Sequence, residues 1–141
     1  MISLCRVWNF LKFVIFRKDQ RKPKTITMNS LQGSAFLKIH DGKLSEFKDL
    51  ANQCIESIKA NEPNTLKFDW FFNADETECV IKEEYKDSTA MLVHLGNLGA
   101  LLGRILQISD MTLELYGNPS DELRATLKGS NPKIYSFYKG L

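Results

Sequence analysis

The stretch EPNTLKFDWFFNADETECVIKEEYKDSTAMLVHL, residues 62–95, decides the fold. Leu66, Phe68, Trp70 and Phe72 alternate with Lys67, Asp69, Phe71 and Asn73, the period of two that marks a strand. Bulk on both faces implies that both are covered, at least in part. Asn73 to Glu78 is polar and holds Asn and Asp, whose side chains satisfy turn backbone, so it reads as a hairpin connection. The return strand, Cys79 to Tyr85, sets Cys79, Ile81, Glu83 and Tyr85 against Val80, Lys82 and Glu84, which puts a carboxylate on the same face as an aromatic ring. Asp87 or Ser88 then caps a helix starting near Thr89. Along it Ala90, Met91, His94 and Leu98 share one side at three- and four-residue spacing, which turns the His94 imidazole toward protein.

Outward from this stretch, Thr25 to Ile39 holds a first strand, clearest over Ala35 to Ile39, and Asp41-Gly42 turns the chain. Lys43 to Ala60 has the strongest helical pattern: Leu44, Phe47, Leu50, Ala51, Cys54, Ile55 and Ile58 form one apolar stripe. Pro63 ends that helix and disfavours helical geometry at Glu62. Beyond His94, Leu98 to Leu106 reads as a second apolar helical piece, loosened by Gly96, Gly99 and Gly103, which would permit close approach of a ligand or neighbour. Ile108 to Tyr116 is the next strand. Asn118-Pro119-Ser120 opens a short helix with Pro in its first turn and Gly129 closes it. Ile134 to Tyr138 is a final strand or an arm across a partner subunit. The order β-α-β-β-α-β is the ferredoxin-like split unit of an α+β protein, an antiparallel sheet with helices on one face only. Its open face needs a cover, and an identical sheet related by two-fold symmetry supplies one, so a homodimer is expected.

At 141 residues and 43% hydrophobic, the chain suffices for one domain with its own core. Charge is uneven: residues 1–27 carry seven basic side chains against Asp19, leaving a mildly acidic body with no general attraction for nucleic acid. We therefore divide the chain into a basic and apolar extension, 1–27, and a domain, 28–141. Three readings of the extension stand: Met28 is the working initiator, the segment lies on an anionic membrane surface, or it is a packing arm. Cys5, Cys54 and Cys79 form no C-x-x-C pair, which fits a reduced, cytoplasmic setting; Cys54 and Cys79 read as small buried apolar groups.

His40 and His94 are the only imidazoles, and no metal-ligand spacing, phosphate loop, dinucleotide fingerprint or nucleophile elbow occurs, so no metal is expected. What remains is an apolar pocket holding one base. His94 is that base, because an imidazole takes a phenolic proton at neutral pH; the competing reading is a core histidine. Met91 and Leu98 flank it as apolar walls. Tyr85 is placed to bond a substrate oxygen and Glu83 to orient the imidazole, the competing reading of Glu83 being a solvated or paired strand carboxylate. On this reading His94→Ala abolishes turnover at little cost in stability.

Phe36-Leu37-Lys38-Ile39 before Asp41-Gly42-Lys43, then Phe47, Glu62-Pro63, Phe68-Asp69-Trp70, Glu83-Glu84-Tyr85 and Asp87 through His94, together resemble the antibiotic biosynthesis monooxygenase domain over residues 34–117. The resemblance implies a dimeric α+β barrel. It also implies cofactor-independent oxygenation, in which a deprotonated, electron-rich quinol or polyketide-like substrate passes an electron to dioxygen, with Trp70 and Phe68 holding its aromatic ring. The haem-degrading branch is disfavoured: Ala35 stands where its members have Asn, and no Trp occurs near Glu84 or Tyr85. Isomerases and members without catalysis share this fold, so the competing class is a dimeric small-ligand-binding module or isomerase. The discriminator is whether His94 faces an accessible cavity.

Overall fold

The computed structural model describes residues 29–141. Strand β1, Leu31–Ile39, buries Leu31, Ala35, Leu37 and Ile39 and leaves Gln32, Phe36 and Lys38 exposed, so period two sorts it into a core face and an open face. Helix α1, Leu44–Asn61, buries Phe47, Leu50, Ala51, Cys54 and Ile58, the stripe read from its sequence. It ends where the Glu62 N–H bonds the Ile58 carbonyl, one residue before Pro63. Strands β2, Thr65–Phe72, and β3, Glu78–Tyr85, form the expected hairpin. In its turn Asn73 Oδ1 accepts from the Glu78 N–H at 2.9 Å and Asp75 Oδ1 from the Thr77 hydroxyl at 2.7 Å, the local bonds for which Asn and Asp suit turns.

Helix α2, Ser88–Gln107, starts at Asp87, whose Oδ1 accepts from the Ala90 N–H at 2.8 Å. Asp87→Ala should cost about 1 kcal/mol of stability, read from urea unfolding, because that amide loses its partner. The helix is continuous, not two pieces. Among the described residues nothing lies within 4 Å of where a Cβ would stand on Gly96, Gly99 or Gly103, so no other part of the described chain approaches them closely. A single glycine costs a helix only about 1 kcal/mol, and packing of Ala90, Met91, Leu98 and Ile105 carries the helix through all three. By length and composition α2 could cross a membrane; in this fold one side of it, with Ala90, Met91, Leu98 and Ile105, joins the core, while Val93 and Leu106 are exposed.

Strand β4, Ser109–Tyr116, helix α3, Asp121–Leu127, a short 3-10 turn and strand β5, Lys133–Tyr135, complete the chain. Two terminal details differ from the sequence reading. Pro119 lies outside α3, whose cap is Ser120, its Oγ accepting from the Leu123 N–H at 3.2 Å. The left-handed residue after the last turn is Asn131 (φ 42°), not Gly129. The sheet order is β2-β3-β1-β4-β5. The first four strands are antiparallel, and β5 corrects the all-antiparallel expectation by joining β4 in parallel. This is the α+β ferredoxin-like arrangement, with β2 at one edge. The open face shows Phe36 and Phe71 among Lys82, Thr112 and Tyr116. The readings placed on residues 1–28 lie outside the described residues.

Candidate functional site

Helix α2 carries His94 on its buried side, and the loop joining α1 to β2 brings Glu62 beneath it. His94 Nδ1 lies 2.9 Å from Glu62 Oε2, both side chains being at least 97% buried. Glu62 is held from two more directions: the Thr65 hydroxyl donates to Oε2 at 2.6 Å and the Asn97 amide to Oε1 at 2.7 Å. Asn97, one turn along α2 from His94, also accepts from the Ser57 hydroxyl at 3.2 Å, which ties α1 into the network. The imidazole is clamped edge-on between Phe68 and Tyr85, each with its ring centroid 5.2 Å away.

Burial pushes the Glu62 carboxyl up, but hydrogen bonds from Thr65, Asn97 and His94 outweigh it and hold the group below its ordinary value. For His94 burial dominates: it lowers the imidazole below its usual 6.5 although Glu62 pulls the other way. At neutral pH the pair is therefore a carboxylate accepting from a neutral ring through Nδ1–H. That bond fixes the tautomer in which Nε2 carries the lone pair, the form able to take a proton.

Glu83 does not orient the imidazole. It shares the core face of β3 with Tyr85, and the Tyr85 hydroxyl donates to its Oε2 at 3.1 Å. Burial pushes its carboxyl up to about 7, only partly countered by the Tyr85 bond and reinforced by the Glu62 charge. Its space comes from Gly33, opposite it on β1, where a Cβ would lie 2.8 Å from Oε2. Tyr85 is fully buried, and burial first, then Glu83, raises its phenol well above the ordinary value. Its hydroxyl is thus engaged with Glu83. Trp70 meets Phe47 and Phe68 edge-on at 5.7 and 5.5 Å, and its Nε1 is the buried side-chain polar atom without a partner among the described residues. Met91 and Leu98 are core side chains on the His94 side of α2.

Sequence reasoning missed Glu62, Thr65 and Asn97. The available signal was Glu62-Pro63, where proline keeps the acid out of the helix and free to turn inward. Cys54 and Cys79 are buried, and burial raises both thiols to about 11, as suits small apolar groups rather than nucleophiles. An open cavity of about 420 Å³ lies between α1 and the β2 edge; Thr65 and Phe68 are in its wall and His94 is not.

Residues 34–99 match the family model for antibiotic biosynthesis monooxygenase, a span running from β1 into α2 and including both Glu62 and His94. That segment is similar to the antibiotic biosynthesis monooxygenase domain. Solved structures show the same fold. MupZ from Pseudomonas fluorescens superposes on the chain with a TM-score of 0.72 at 23% identity, over 80% of this chain and 93% of that one. Rv0793 from Mycobacterium tuberculosis gives 0.57 at 17% identity, over 65% and 97%. A third structure, that of an antibiotic biosynthesis monooxygenase, gives 0.56 at 22%, over 64% and 99%. No curated protein matches the chain in sequence. The family match and the Glu62–His94 pair thus fall within one segment.

Proposed function

We propose that the domain is a cofactor-independent monooxygenase acting on a small aromatic quinol or a polyketide-like phenol, with His94 as the base. The observation that carries this reading is the Glu62–His94 bond at 2.9 Å, which holds a neutral imidazole with its Nε2 lone pair unprotonated. Nε2 takes the substrate hydroxyl proton, and the resulting anion is electron-rich enough to reduce dioxygen, the co-substrate, without flavin, haem or metal. Glu62 positions the ring and balances the imidazolium that forms. Phe68 and Trp70 supply aromatic edges for the substrate ring. The protein works as a homodimer in a reducing, cytoplasmic setting, its open sheet face covered by a second copy through Phe36 and Phe71.

The test is oxygen uptake on quinols, naphthols and anthrones with no cofactor added. Uptake should fall on acidification as His94 takes a proton, with the midpoint below 6.5 because burial lowers its affinity for one. A rate independent of pH across that limb would remove His94 as the base. A second reading, a non-catalytic binding module or isomerase, is favoured by the burial of His94, which is 3% exposed. Absence of uptake on every substrate would select it.

A further inference from the structure

The cavity of about 420 Å³ and the buried imidazole share a neighbour, Phe68. This residue lines the cavity, and its ring packs edge-on against His94 at 5.2 Å. Thr65 is the other wall residue next to the site, and its hydroxyl is fixed on Glu62 at 2.6 Å. Of the two, Phe68 is the one free of a polar tie. It also stands at an irregular point of an edge strand. Among the described residues β2 pairs only with β3, and the register shifts between Thr65 and Lys67, immediately before Phe68. Bulges at sheet edges re-aim side chains next to functional sites. Here the shift leaves Leu66 exposed at 58% and Phe68 half-buried, between cavity and core.

We propose that this cavity is the approach to His94, that the Phe68 ring is the door between them, and that the ligand entering is a small planar phenol. The proposal rests on the function inferred above and adds the route and the gate. Ile55, Ile58 and Leu66 give the cavity apolar surface for the faces of a flat ring, Lys59, Lys67, Asp69 and Glu84 line it with charged groups, and its volume lies within the range of small-molecule pockets. When the Phe68 ring swings toward the cavity mouth, the space it leaves opens directly onto the imidazole, and a phenolic oxygen can reach Nε2. In the closed position water is kept from the Glu62–His94 pair.

Acylation of imidazole by diethyl pyrocarbonate tests this without turnover, so an inert protein in the oxygen assay leaves the result readable. The chain has two histidines, and His40, with 43% of its side chain exposed, is the internal reference. Peptide mass spectrometry follows both in the full-length protein. In the wild type His94 should react far more slowly than His40. Phe68→Ala should accelerate His94 about tenfold or more with His40 unchanged, since access is governed by local opening. Phe68→Leu, a milder change that keeps the strand packed, should fall between. Phe72→Ala removes a ring of the same strand that packs on Phe47, away from His94, and should leave His94 slow. Saturating 2-naphthol should protect His94 and not His40. An unchanged His94 rate in folded Phe68 variants, an equal acceleration in Phe72→Ala, or no protection by 2-naphthol would overturn the proposal.

Discussion

Replacing His94 by Ala lowers the unfolding free energy by about 3 kcal/mol and the melting temperature by roughly 10 °C, in addition to removing the proposed base. The sequence reading expected little loss of stability. The Glu62 bond overturns that, because the variant keeps a buried carboxylate deprived of one of its three side-chain hydrogen bonds. Losing a hydrogen bond to a buried charged group costs about 1.5–3 kcal/mol, and the near-complete burial of Glu62 places this case at the upper end. Urea unfolding at pH 7.5 checks it. Adding Glu62→Gln should recover part of the loss, since a neutral amide is cheaper to leave unpaired than a carboxylate. A His94→Ala protein as stable as the wild type would mean that the pair contributes nothing. The pH sign follows from the lowered His94 affinity for protons. The folded state binds fewer protons here than the unfolded chain, so stability is present above the unfolded value of 6.5 and is lost as pH falls below it.

Glu83→Gln is expected to act in the opposite direction, raising stability by about 3 kcal/mol at pH 8 and hardly at all at pH 4. The carboxyl is raised from 4.5 to about 7, so the folded state holds its proton more tightly than the unfolded chain does. Wild-type stability from this group is therefore full below 4.5, declines as pH rises, and is gone above about 7. Glutamine keeps an oxygen for the Tyr85 hydroxyl without an ionisable proton. Urea midpoints at pH 4 and pH 8 for both proteins decide the matter. Parallel pH dependence in the two would show that Glu83 titrates normally.

Much of the fold was legible because its signals are local. The alternation in β2 and β3, the stripe of α1 and the cap at Asp87 each depend on residues a few positions apart. Burial of His94 was readable for the same reason, from its spacing to Ala90, Met91 and Leu98. The partner of His94 was not, since Glu62 lies 32 residues away in a loop whose path no periodicity encodes. Glu83 and Tyr85 were rightly placed on one face, yet a shared face does not say which polar group meets which. The parallel pairing of β5 and the continuity of α2 were hidden similarly: strand direction is settled by β4, and helix continuity by a packed side that offsets three glycines.

Those glycines bear on how the site moves. Each costs a helix interior about 0.5–1 kcal/mol, and since all three face open space, nothing local repays it. Helix α2 therefore persists through its inner side, where His94 and Asn97 are bound to Glu62. Fraying of the helix and dispersal of the polar network become one cooperative event, so amide hydrogens along α2 should lose protection together as the imidazole gains a proton.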